Sequence, residues 1–168
     1  MKRIIPLTLL VLALLTLCAC GASEKAPELP AGMDLEAVYQ SLMDAQADTG
    51  MDPLFLFPES NEELIANFYP GLGDLDLAQM TLYMHPVTGA ATEVCLAEAA
   101  DADNAKAAAE VFQARIDHGA AGTGCEAEDG ANWAKHGTVQ TAGNYVAMIC
   151  LPEGYTVPEN IFTAFAAN

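Results

Sequence analysis

Basic residues are scarce in this chain. Six Lys and Arg stand against 23 Asp and Glu, which gives a formal net charge of −17. A protein that binds nucleic acid neutralises phosphates with Lys and Arg, and electrostatic attachment to anionic lipid needs a polybasic segment. The composition therefore argues against both. It indicates a soluble domain kept away from an anionic envelope, with capture of cations or of a basic partner as the alternative.

The chain also lacks an apolar run long enough to cross a bilayer. A spanning helix needs about 20 apolar residues, whereas the core of a signal peptide needs roughly 7–15. The apolar run from Ile4 to Leu17 has the shorter length and follows the cationic pair Lys2-Arg3. This arrangement is typical of a signal peptide, with its N-terminus held on the cytoplasmic side.

Leu17-Cys18-Ala19-Cys20 ends that run. It is similar to the site of bacterial lipoprotein signal peptidase, with Leu at −3, a small residue at −1 and Cys at +1. Cys20 fits this pattern, whereas Cys18 would place Leu17 at −1. We predict a lipoprotein signal peptide over 1–19 and a diacylglyceryl anchor on Cys20, where two acyl chains give stable attachment. An ordinary secretory signal and an uncleaved anchor are the alternatives.

The remaining chain divides into a tether and a domain. Residues 20–33 are predicted to be the lipidated Cys and a flexible, proline-containing tether, and residues 34–168 a single α+β domain. About four antiparallel strands are expected as two hairpins, packed with an N-terminal helix, a central helix and a short C-terminal helix. The hairpins are predicted at 78–85 with 91–97 and at 138–141 with 144–151; the helices are predicted at 33–47, 101–118 and 158–167. The strand at 145–151 is apolar on both faces, so it should be central.

Shorter segments carry further predictions. Ser60 and Glu63 have capping-box spacing and predict a short helix. The apolar stretch Leu54 to Phe57 is expected to tuck its aromatic rings under the domain. The Gly-rich, acidic stretch 119–132 is expected to be a mobile loop, because its glycines do not form a dinucleotide-binding fingerprint.

Catalytic and metal signatures are weak. Cys95, Cys125 and Cys150 remain after anchoring, and this odd number favours three thiols. A nucleophile pair of Cys125 and His136 is conceivable. Zinc motifs are missing, and the calcium-loop-like start Asp101-Ala102-Asp103 has Lys106 where glycine is required. We expect no metal and no cofactor, and we leave catalysis open with a non-catalytic protein favoured.

Candidate ligand-binding residues are Tyr83 and His85, on the outward face of the first hairpin, and Trp133, which could stack on a sugar. The favoured function is a membrane-anchored, extracytoplasmic binding or accessory domain. The alternative is an envelope hydrolase with a Cys/His or carboxylate site.

Four short segments carry a family resemblance: Leu35-Glu36-Ala37-Val38-Tyr39, Tyr69-Pro70-Gly71-Leu72, Ala91-Thr92-Glu93-Val94 and Gly143-Asn144-Tyr145-Val146. In this order the chain resembles, over roughly 34–152, a family of small lipoproteins, mostly from anaerobic Gram-positive bacteria, known as a domain of unknown function (number 4358). The stretch 119–132 departs from the family in its length and glycine content. The resemblance implies an anchored extracytoplasmic domain and brings no assigned activity or catalytic residues.

Overall fold

The computed structural model describes residues 29–87, 89–122 and 126–165. The predicted signal peptide, Cys20 and most of the predicted tether lie outside the described residues, as does Cys125.

An α+β fold is confirmed over these ranges. The five helices are α1 (Leu35–Gln46), α2 (Glu62–Phe68), α3 (Ala102–Ala120), α4 (Ala127–His136) and α5 (Ile161–Phe165). The strands are β1 (Phe57–Pro58), β2 (Leu77–Met84), β3 (Glu93–Ala99), β4 (Thr138–Ala142) and β5 (Tyr145–Cys150). They form one antiparallel sheet in the order β1-β2-β3-β5-β4. Both predicted hairpins are present, and β1 is an additional two-residue edge strand that contains Pro58, which suits an edge.

The two central strands, β3 and β5, are buried on both faces along their whole length. Their register pairs Glu93 with Cys150 and Leu96 with Ala147. The apolar sequence of β5 predicted this central position. Glu93 and Glu98 are the two acidic residues of β3, and both are buried.

Helices cover both faces of the sheet and separate two apolar clusters. On the first face, called the α3 face here, helices α2, α3 and α4 pack on side chains such as Leu82, Cys95 and Met148. On the second, the α1 face, helices α1 and α5 pack on Leu96 and Ile149. Burying each large aliphatic side chain stabilises the fold by about 1.5–3 kcal/mol.

The helix starts follow local capping chemistry. The Asp34 carboxylate accepts hydrogen bonds from the backbone N–H groups of Glu36 (3.0 Å) and Ala37 (3.2 Å) at the start of α1. Asp101 caps α3 in the same way. The prediction that Ser60 caps α2 is wrong by one residue, because Asn61 accepts from the N–H groups of Glu63 and Leu64.

Part of the stretch predicted as a mobile loop is helical. Helix α3 extends to Ala120 and helix α4 begins at Ala127, so the prediction is wrong over 119–120 and 127–132. A Cβ on Gly130 would lie 3.4 Å from the Cα of Gly122, which is an ordinary contact. The full burial of Trp133 on the sheet and α3 instead compensates for the low helix propensity of glycine in α4.

The aromatic side chains of 54–57 are not tucked under the domain, contrary to the prediction. Phe55 is 67% exposed and Phe57 is 55% exposed, whereas Leu54 and Leu56 pack against the α1-face cluster. The chain is extended here, and alternate side chains therefore point to opposite sides.

The last residues of the predicted tether contact the domain. The Gly32 N–H donates to Oε1 of Glu98 (3.0 Å), and the Met33 N–H donates to the Tyr145 hydroxyl (2.9 Å). The carbonyl of Met33 accepts from the Gln79 amide (2.8 Å). Residues 32–33 are thereby held on the ends of β2, β3 and β5.

No helix in the described ranges combines the length and the apolar character needed to cross a membrane.

Candidate functional site

The structure does not bring the three predicted ligand-binding residues together. Tyr83 lies on the α1 face, where helix α1 covers it in part. Trp133 is fully buried on the α3 face, on the other side of the sheet. His85 follows β2 and lines a separate small cavity of about 210 Å³ with Phe57 and Pro58.

Tyr83 instead lines a larger cavity of about 420 Å³, which we call the α1 groove. The groove lies between α1, the chain segment 51–56 that follows it, and β2. Its lining consists of Glu36, Tyr39, Gln40, Met43, Gln46, Ala47, Met51, Asp52, Pro53, Leu54, Leu56 and Tyr83. Ligand pockets in proteins usually have volumes of about 300–1,000 Å³ and combine apolar walls with a few polar groups.

Two stacked tyrosine rings form one part of the groove. The ring centroids of Tyr39 and Tyr83 lie 3.6 Å apart and the rings are within 6° of parallel. Tyr39 comes from the buried stripe of α1 and Tyr83 from β2, so the pair also ties the helix to the sheet. The facing surfaces of the two rings cover each other and Tyr39 is only 6% exposed, so the aromatic surface open to the groove comes mainly from the partly buried Tyr83.

Glu36 supplies the carboxylate next to these rings. It accepts a hydrogen bond from the Tyr83 hydroxyl and a longer one from the Thr81 hydroxyl (3.4 Å). Burial raises the pKa of Tyr83 to about 12, with the bond to Glu36 adding to the effect. Burial, followed by the charge of Glu36, raises the pKa of Tyr39 to about 12 as well. Both phenols are thus neutral at physiological pH.

The end of α1 at Gln46 and the segment opposite it are both held by the chain that follows β5. Its amide nitrogen donates to the carbonyls of Leu42 (2.7 Å) and Thr156 (2.9 Å), and its amide oxygen accepts from the Thr156 N–H (2.8 Å). The Tyr155 hydroxyl donates to the Asp52 carbonyl (2.7 Å). These bonds fix the end of α1 and residue 52 against the chain after β5, which sets the width of the groove.

A buried ion pair lies on the α3 face. The Arg115 guanidinium donates to both carboxylate oxygens of Glu93, at 3.1 Å from Nε and 2.6 Å from Nη2. The Tyr69 hydroxyl donates to the same carboxylate. The guanidinium carbon also lies 4.8 Å from the ring centroid of Phe68 and 4.4 Å from that of Trp133. Both charged side chains are 2% exposed, so this network is part of the core.

The two described cysteines lie beside this network and are free thiols, as predicted. Burial, followed by the negative charge of Glu93, raises the pKa of the Cys95 thiol well above its ordinary value. The same two causes raise the pKa of Cys150 to about 12. A nucleophilic cysteine needs a lowered pKa and access to solvent, and neither thiol has them.

The conceivable pair of Cys125 and His136 falls partly outside the described residues. His136 ends helix α4, and its Nε2 atom is buried without a hydrogen-bond partner in the described ranges. The Nε1 atom of Trp133 is likewise buried without a hydrogen-bond partner in these ranges. Within 29–87, 89–122 and 126–165, no group of three or more His, Cys, Asp and Glu is arranged to hold a metal ion.

Sequence reasoning found Tyr83 but missed its two partners. The helical spacing of apolar residues in α1 predicts only a core-packing role for Tyr39 and gives Glu36 no role. A signal was available: Glu36 and Tyr39 are three residues apart and therefore share a helix face, next to the alternating strand that carries Tyr83. No protein-family model, curated protein or solved structure matches this chain.

Proposed function

We propose that this chain is a lipid-anchored, extracytoplasmic lipoprotein whose folded domain binds a small ligand in the α1 groove without acting on it chemically. The observation that supports a binding role is the groove itself, with its stacked rings of Tyr39 and Tyr83 beside the Glu36 carboxylate. Its described lining contains neither histidine nor cysteine.

The anchored placement rests on the Leu17-Cys18-Ala19-Cys20 sequence. The diacylglyceryl group on Cys20 is proposed as the membrane contact, because an acidic domain gains nothing from anionic lipid. The resemblance to the small-lipoprotein family implies the same placement and remains a prediction.

The attachment of residues 32–33 to the sheet limits the reach of the proposed tether. Cys20 and Leu29 are nine residues apart in the sequence, and an extended chain spans at most about 3.3–3.6 Å per residue. The domain is therefore held within roughly 30 Å of the bilayer surface. A binding domain at this distance samples solutes at the membrane.

A groove-filling substitution tests the binding role. Ala47 is exposed and lines the groove, so Ala47→Trp fills the space without disturbing the core. Ala134→Trp, on an exposed position of α4 on the other face of the sheet, is the matched control. Thermal-shift screening of the full chain against a chemically mixed fragment set should give hits that Ala134→Trp keeps and Ala47→Trp loses. Hits that persist in Ala47→Trp, or a wild type with no hits, would refute the proposal.

A further inference from the structure

The charged residues that line the α1 groove are all acidic. Glu36 and Asp52 line it, and none of its described lining residues is basic. Gln40, also in the lining, donates to the carboxylate of Asp44 (2.9 Å), an acidic residue one turn further along α1. The described basic side chains of Lys106, Arg115 and Lys135 belong to α3 and α4, on the opposite face of the sheet. The groove therefore disfavours an anion and favours a cation.

The walls of the groove determine what kind of cation fits. Aromatic faces attract cations, and quaternary ammonium ligands and methylated lysines are commonly recognised by aromatic side chains. Tyr83, stacked on Tyr39, provides such a ring next to the Glu36 carboxylate, and both rings stay neutral because their pKa values are about 12. The Glu36 carboxylate and the Tyr83 ring would therefore contact a ligand in the same part of the groove.

The remaining contacts are apolar. Met43, Met51, Leu54 and Leu56 also line the groove, and thioethers adapt their shape to small alkyl groups. A bare metal ion or a primary ammonium would give up hydration against these apolar side chains that only the few polar groups of the lining, chiefly the Glu36 and Asp52 carboxylates, could replace. An alkylated ammonium group has little hydration to lose and gains contact with them.

From this combination we infer that the α1 groove binds a small compound bearing an alkylated ammonium group. The inference rests on the proposed function, since it names the ligand class of the same site. Glu36 compensates the charge, and the tyrosine stack and the two methionines contact the alkyl substituents.

Three probes of similar shape and different charge test whether the groove recognises the positive charge or only the shape of the ligand. Choline is the cation, 3,3-dimethyl-1-butanol is its uncharged carbon isostere, and 3,3-dimethylbutanoate is the anionic analogue. The full chain in a nonionic detergent is titrated with each and followed by amide chemical shifts. We expect choline to bind about tenfold more tightly than the alcohol, with the largest shifts at Glu36, Tyr39 and Tyr83.

Matched variants test whether choline binding depends on Glu36 and Tyr83. Glu36→Gln should weaken choline binding several-fold while leaving binding of the alcohol unchanged. Glu110→Gln removes the same charge from an exposed position on α3 and should leave both unchanged. Tyr83→Leu removes one ring of the stack from a partly buried strand position and should also weaken choline selectively.

The outcomes distinguish the ligand class from the existence of the site. If the alcohol or the carboxylate occupies the groove as tightly as choline, the ammonium inference is refuted and the proposed binding function stands. If none of the three probes shifts the groove residues, the inference is also refuted, and the Ala47→Trp screen decides the function separately. Equal weakening by Glu36→Gln and Glu110→Gln would refute the role of Glu36.

Discussion

Arg115 and Glu93 form a two-pronged ion pair inside the core, with Nη2 of the arginine 2.6 Å from Oε2 of the glutamate. One residue comes from helix α3 and the other from the central strand β3. Burial alone would lower the pKa of Arg115, but the hydrogen bond and the charge of Glu93 raise it above its ordinary value. The guanidinium therefore stays charged, and its bonds to Glu93 fix how α3 lies on the sheet.

Breaking this pair on one side should be strongly destabilising. Arg115→Met leaves the Glu93 carboxylate buried without its counter-charge, and we expect a loss of about 3–5 kcal/mol in the free energy of unfolding. Adding Glu93→Gln should recover part of that loss, because the uncompensated charge is removed while Tyr69 keeps an acceptor. Urea denaturation measures both.

The control for that experiment is Lys106→Met. Lys106 lies 4.0 Å from Glu110 in an exposed pair on α3, so its loss should change stability by less than about 1 kcal/mol. Similar effects of Lys106→Met and Arg115→Met would contradict the importance of the buried pair.

Gly119 of α3 packs directly against the ring of Trp133 of α4, which leaves no room for a side chain at residue 119. A Cβ on Gly119 would lie 2.5 Å from two atoms of the Trp133 ring. Gly119→Ala should therefore destabilise the protein by about 1–3 kcal/mol, despite alanine's better helix propensity. Gly73→Ala, where nothing lies within 4 Å of the added Cβ, should stay within about 0.5 kcal/mol of wild type. A neutral or stabilising Gly119→Ala in urea denaturation would contradict the packing of α4 on α3.

This contact also explains why α4 was hard to predict. The helices α1 and α3 follow from their caps, Asp34 and Asp101, and from apolar residues at helical spacing. Helix α4 is short, contains Gly130, and gains its stability from the burial of Trp133 against another helix. That tertiary contact is invisible in local sequence, so the glycines favoured a loop.

The candidate site was predictable only in part for a similar reason. The alternation of apolar and polar residues in β2 correctly predicts that Tyr83 lies on the other face of the sheet from Leu82 and Met84. Alternation indicates a half-buried strand, however, and does not say which element covers the second face. Helix α1 covers that face and brings Tyr39 and Glu36 to Tyr83. The separation of Trp133 from Tyr83 likewise follows from the sheet lying between them.

Glu98 should make stability depend on pH. Burial alone would raise its pKa, but hydrogen bonds from Gln79, Gly32 and Tyr145 outweigh burial and lower it. A carboxyl with a lowered folded-state pKa stabilises the fold above its unfolded pKa of about 4.3, and this contribution is lost as the pH falls through the folded value. The stability gap between wild type and Glu98→Gln should be largest at neutral pH and narrow below about pH 4. A gap in urea denaturation that does not change with pH would contradict this role.

The buried thiols should be unreactive in the folded protein. In a background of Cys18→Ala, Cys20→Ala and Cys125→Ser, the thiols that remain are Cys95 and Cys150, both fully buried with raised pKa values. An aromatic disulfide reagent at mildly alkaline pH should label neither until guanidinium chloride unfolds the chain, and both afterwards. Labelling of the folded protein at the rate of a free thiol would show that the α3 face opens.

The proposed attachment of the domain to the membrane depends on lipidation of Cys20, and one labelling experiment tests it most directly. The full chain is expressed in a bacterial host with a palmitate analogue, as wild type and as the matched variants Cys18→Ala and Cys20→Ala. We predict that wild type and Cys18→Ala carry the label and that Cys20→Ala does not, because the thioether forms on Cys20. Label that survives in Cys20→Ala, or a wild type that carries none, would contradict the lipid anchor.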